Sequence, residues 1–81
     1  MNLDEQQFLR ELGYRLRELR QARGLTQATL AAQCGLHRTF IGSVERGERN
    51  LAVLNLRLIA GVLRVPLAKL LASSSPRNQL D

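Results

Sequence analysis

The chain has one cysteine, Cys34, so no intrachain disulfide can form and nothing in it asks for an oxidising compartment. Its one histidine, His37, lies close to that cysteine, but no second Cys or His exists to complete a ligand set, so no metal or cofactor is expected. Tryptophan is absent, Val, Ile and Tyr are sparse, and polar and apolar residues never alternate for long, which argues against strands. No apolar run approaches the length of a membrane span. The opening Met-Asn-Leu-Asp-Glu-Gln-Gln is polar and acidic, unlike a targeting segment, so a cytoplasmic chain is expected. There is no nucleophile–base pair, no carboxylate pair and no glycine loop to cradle a phosphate, and no enzymatic activity is expected. Acid is also short, with 7 Asp+Glu against 12 Lys+Arg, all but Lys69 of the cations being arginine, for a net charge of +5. That balance suits a polyanion, because the guanidinium fork matches phosphate oxygens and guanine edges.

What remains is helical periodicity. The 81 residues make one small domain, read as residues 1–72 followed by an aperiodic tail at 73–81, with no room for a lobe that binds a small-molecule effector. Asp4, with Gln7 three residues on, is read as the N-cap of a first helix. Leu9, Leu12, Leu16 and Leu19 then form one apolar stripe with Phe8 adjoining, and Gly24 stops the helix near Arg23. A second helix starts on Thr26 and buries Leu30 and Ala31. Gly35 turns the chain, and a third helix from about Arg38 to Arg46 buries Ile41 and Val44 until Gly47 ends it. In the apolar stretch Leu51–Val65, one helical face carries Val53, Leu56, Ile59, Ala60 and Leu63. Leu54, Leu58 and Val62 fall on a separate stripe. A short last helix, Leu67 to about Ala72, follows Pro66 and turns Leu67, Leu70 and Leu71 inward.

Residues of about 26–46 thus have the plan of a helix-turn-helix: a short positioning helix, a tight turn, and a helix whose first turns enter the major groove. At the start of the second helix, Thr26 and Gln27 offer backbone amides and a carboxamide to a phosphate. Arg38 and Thr39 open the third helix with a guanine-reading fork and a hydroxyl, and Ser43 one turn later is read on the same exposed side. Arg46, Arg49 and Asn50 in the next loop are placed for backbone phosphates. His37 is read as either a helix cap or a phosphate contact, and Cys34 as a small core residue. Arg10, Arg15, Arg17 and Arg23, interleaved with Glu11 and Glu18, are read for the most part as a salt-laced outer face. The stripe Leu54, Leu58 and Val62, adjoined by Leu67, Leu70 and Leu71, is read as a homodimer surface.

Leu25-Thr-Gln-x-x-Leu-Ala31, Gly35-Leu36, Ile41 and Glu45-Arg-Gly47 together resemble the Cro/phage-repressor type of helix-turn-helix domain, the XRE family, over roughly residues 9 to 71. Within it the stretch from Phe8 to Asn50, with Leu-Arg-Glu-Leu-Arg20, His-Arg-Thr-Phe40 and Val-Glu-Arg-Gly-Glu-Arg-Asn50, is most similar to the controller proteins of restriction–modification systems. The resemblance implies a compact, all-α, five-helix lambda-repressor-like domain that binds palindromic double-stranded DNA as a homodimer and regulates transcription. It implies phosphate binding by Gln27, base reading by Arg38, Thr39 and Ser43, a thymine or sugar contact for Phe40, and a structural ion pair between Arg20 and Glu45. Two departures stand out: His37 replaces a Ser or Asp cap, and Leu54 and Leu58 are apolar where the family is usually polar. The alternatives are a stand-alone phage-type repressor and an antitoxin-like protein-interaction module.

Overall fold

The computed structural model describes residues 2–72, so the tail read at 73–81 lies outside the described residues. Five helices follow in order: α1 (Leu3–Ala22), α2 (Gln27–Cys34), α3 (Arg38–Glu45), α4 (Val53–Leu63) and α5 (Leu67–Leu71). Among the described residues there is no strand, and no helix is long and apolar enough to cross a membrane.

The first helix starts earlier than the sequence reading placed it. Asn2, not Asp4, is its N-cap: Asn2 Oδ1 accepts from the Glu5 amide at 2.8 Å, and Glu5 Oε1 accepts from the Asn2 amide at 3.1 Å. This reciprocal box satisfies two orphan donors, and it leaves Asp4 and Glu5 in the first turn, where negative charge meets the positive end of the helix dipole. The four longer helices share one stop. After each, an amide bonds five residues back (Leu25 to Arg20, Leu36 to Ala31, Glu48 to Ser43, Val65 to Ala60), across a left-handed residue at Gly24, Gly35, Gly47 or Arg64. Gly35 is the one that folds α3 back against α2. Arg64, at φ 59°, holds the same conformation without glycine's freedom.

Leu12 and Leu16 of α1, Leu30, Ala31 and Cys34 of α2, Ile41 and Val44 of α3, Leu56, Ile59, Ala60 and Leu63 of α4 and Leu70 of α5 form one core. Burial pushes the Cys34 thiol above its ordinary pKa, as desolvation disfavours the thiolate. Four expectations are corrected. Val53, read on the core face, is 69% exposed; as the first residue of α4 its side chain leans back beyond the packed surface. Leu71, read as facing in, is exposed, whereas Leu70 is buried completely. Phe8 lies at the edge of the α1 stripe and is exposed as well. Arg15 does not belong to a wholly solvated face: its Nη1 donates to the Leu70 carbonyl at 3.2 Å and ties α1 to the end of α5.

The α1–α3 contact depends on a residue the sequence reading passed over. A Cβ on Gly13 would fall on the Val44 carbonyl and 2.5 Å from the Glu45 carbonyl oxygen, both backbone groups that cannot step aside. The signal was there, a single glycine inside a leucine-rich helix.

Candidate nucleic-acid interface

Close approach at Gly13 brings Glu45, at the end of α3, beside Arg20 of α1. Arg20 Nε donates to Glu45 Oε2 at 2.6 Å and Arg20 Nη2 to Glu45 Oε1 at 3.0 Å, with both residues buried. Arg20 Nη1 donates to the Leu25 carbonyl at 2.7 Å, and Gln27 Nε2 donates to Glu45 Oε1 at 2.9 Å. One carboxylate therefore accepts from two helices and belongs to a third. α3 is thus tied to α1 by bidentate, charge-assisted bonds and to α2 by a single bond from Gln27, in addition to apolar packing. No buried side-chain polar atom among the described residues lacks a partner.

On this frame the amino ends of α2 and α3 stand at the surface. Thr26 caps α2: its Oγ1 accepts from the Thr29 amide at 3.0 Å and donates to Thr29 Oγ1 at 2.9 Å. The Gln27 and Ala28 amides ahead of that cap have no helical acceptor, and such an end carries partial positive charge. His37 caps α3, its Nδ1 accepting from the Thr39 amide at 3.1 Å. The cap role read for His37 is present in the structure. With Nδ1 taken by the cap, Nε2 is the ring nitrogen left for another partner. Arg38 and Thr39 are exposed.

The rest of α3 is enclosed. Ile41, Gly42, Ser43, Val44 and Glu45 are all buried. Ser43 was read on the exposed side, and that is corrected: it is 8% exposed, and its hydroxyl donates to the Phe40 carbonyl at 2.8 Å. A helical wheel treats every turn of a face alike, whereas here only the first turn projects past the neighbouring helices. Phe40 packs partly into the core, with the Arg49 guanidinium 5.6 Å from its ring centroid. That cation–π contact holds the Arg49 head near α3. Arg46 is exposed and pairs with Glu48 at 3.1 Å, a surface pair of little energetic weight. Asn50 stands apart, in a groove with Asp4, Glu5, Phe8 and Leu9 at the start of α1.

Thr26, Gln27, His37, Arg38, Thr39 and Arg46 therefore belong to the α2 and α3 ends held by the Glu45 network, and Arg49 is drawn to the same helix. The apolar α4 residues form a second surface. Leu54 is 70% and Leu58 48% exposed, and with Arg57, Gly61 and Val62 they line an open groove of about 550 Å³. Leu67 is half-buried against the core and Leu71 reaches solvent. Leu70 has no exposed surface to give, so its assignment to a dimer surface is corrected.

Comparison with known proteins places this geometry. A family model described as helix-turn-helix matches residues 16–70. The control protein C.SmaI of Serratia marcescens is 41% identical over 68 residues, covering 84% of this chain and 81% of that protein. The crystal structure of the restriction–modification controller protein C.AhdI from Aeromonas hydrophila superposes with a TM-score of 0.75 at 47% identity, over 76% of this chain and 94% of that one. SinR, a master regulator for biofilm formation solved in complex with DNA, superposes with a TM-score of 0.73 at 27% identity, over 75% and 98%.

Proposed function

The chain belongs to the helix-turn-helix family, and on that premise we propose that it is a DNA-binding transcriptional regulator that acts as a homodimer on palindromic operators, in the manner of a restriction–modification controller. The observation that carries this reading is the exposed first turn of α3, with Arg38 and Thr39 standing beside the α2 amino end on a frame locked through Glu45. In this role Arg38 forks onto a guanine edge and Thr39 meets a neighbouring base. The free α2 amides, Thr26, the remaining Gln27 hydrogen, His37 Nε2, Arg46 and Arg49 take phosphates on either side. Asn50 serves at the margin of that track, and Phe40 supports it by holding Arg49. Ser43, buried and already bonded, is left out.

Two copies pair through α4, so that residues 1–72 serve both DNA binding and dimerisation. The α4 face offers a knob and a hollow: Leu58 projects, while Gly61, one turn on, has nothing within 4 Å of where a Cβ would stand. A two-fold pairing seats each Leu58 over the other copy's Gly61, with Leu54, Val62, Leu67 and Leu71 around it. The two α3 ends then face successive major grooves, about 34 Å apart. No catalytic step enters this reading, and the protein acts where the DNA is, in the cytoplasm.

The test is titration of DNA taken from immediately upstream of its own gene. Arg38→Ala weakens binding to that operator by about 1–3 kcal/mol and relaxes the preference at one base position, with little change on random duplex. Equal weakening on both makes Arg38 a phosphate contact, and a wild-type protein that ignores the upstream DNA at moderate salt overturns the reading. An endonuclease and a methylase gene alongside support the controller assignment.

A further inference from the structure

Charge in this chain is segregated by element. Among the described residues every carboxylate lies on α1 (Asp4, Glu5, Glu11, Glu18), in the buried pair at Glu45, or at Glu48 in the loop after α3. The helices α2, α4 and α5 carry none, and α2 and α5 are packed against α4. Yet α4 and its cap bring Arg57 and Arg64, α5 brings Lys69, and all three are exposed. Arg57 lines the apolar groove itself, beside Leu58.

We infer that Arg57 sets a salt-tuned threshold for dimerisation: its like-charge repulsion across the α4 face opposes pairing at low ionic strength and is relieved as salt rises. The inference rests on the reading of that face as the homodimer surface. An isologous interface presents the same patch to itself, and with Leu58 seated over Gly61 the two Arg57 positions stand five residues, about 7 Å, apart along the paired helices, well inside the Debye length at low salt. No carboxylate stands on α4 or on α2 and α5, which pack against it. Repulsion in a partly dried groove is stronger than at an open surface, and added ions screen it. Operator binding responds in the opposite sense, because each phosphate contact releases counterions and weakens with salt.

The experiment is sedimentation equilibrium of the full chain at about 0.01 M and about 0.15 M sodium chloride, between which the Debye length falls from about 30 to about 8 Å. The wild-type dimer dissociation constant falls roughly threefold or more across that range, the order expected of one screened charge pair. Arg57→Gln dimerises more tightly at the lower salt and loses most of the response. Arg17→Gln, which removes an exposed cation from α1 and changes net charge equally, keeps the wild-type response. A wild-type dimer that is indifferent to salt, or weakened by it, overturns the inference. The reading beneath it fails differently: Leu58→Lys, folded by circular dichroism, would remain as dimeric as wild type. Monomers at every salt that bind an acidic second protein overturn both.

Discussion

Glu45 accepts from Arg20 at 2.6 and 3.0 Å and from Gln27 at 2.9 Å while almost entirely shielded from water. Removing one partner of such a pair costs far more than the pair contributes against an apolar replacement, because the remaining charge is stranded. Arg20→Ala therefore lowers stability by about 3–5 kcal/mol, a large part of what a domain of this size possesses. Its loss of operator binding follows the unfolded fraction in a urea titration. If Arg20→Ala stays folded and binds weakly, Arg20 acts on DNA binding itself, by aiming α3 through Glu45 or by contact, and not through stability. The ion pair was readable from the family pattern at residues 20 and 45, because it depends on backbone positions that the fold shares. The third bond, from Gln27, was not, since sequence places a side chain on a face but does not choose its partner. That is why Gln27 appeared only as a phosphate ligand. Ser43 illustrates the same limit in reverse: its spacing from Thr39 is right for a shared face, but burial depends on how far neighbouring helices reach along it.

At the scale of elements, helix limits were legible because they are local chemistry. Thr26, Gly24, Gly35 and Gly47 act through their own backbone and side chains, and α1, α2 and α3 end within a residue or so of where those signals put them. The start of α1 was misplaced because two cap-and-partner pairs, Asn2 with Glu5 and Asp4 with Gln7, compete within three residues, and both fit the same rule. Helix-to-helix distance was not legible, and Gly13 decides it. Gly13→Ala improves intrinsic helix propensity by about 1 kcal/mol yet drives a methyl into two carbonyls of α3. The clash dominates, and the urea midpoint drops. Arg64→Gly should move it the other way, relieving about 1 kcal/mol of left-handed strain. The pair of variants, measured at protein concentrations where monomers prevail, separates close packing from backbone freedom. A stabilised Gly13→Ala would mean that α1 and α3 stand further apart than described.

At the scale of the whole molecule, the two surfaces of the proposed function share one frame but occupy different elements, α2 with α3 proposed for DNA and α4 with α5 proposed for pairing. Coupling between them is then a matter of mass action. A palindromic operator needs two α3 ends, and one dimer brings both at the entropic cost of a single association. Below the dimer dissociation constant, dimer concentration grows as the square of total protein, so operator occupancy against total protein rises with a logarithmic slope near about 2. Above it the slope falls to about 1. Leu58→Lys keeps the α3 surface intact and removes pairing, so it binds a half-site with a slope of about 1 at all concentrations and much lower affinity for the full operator. Quantitative footprinting across the dimer threshold distinguishes the two cases. A wild-type slope of about 1 throughout would mean that monomers fill the operator independently, and the α4 groove would then have no part in the switch.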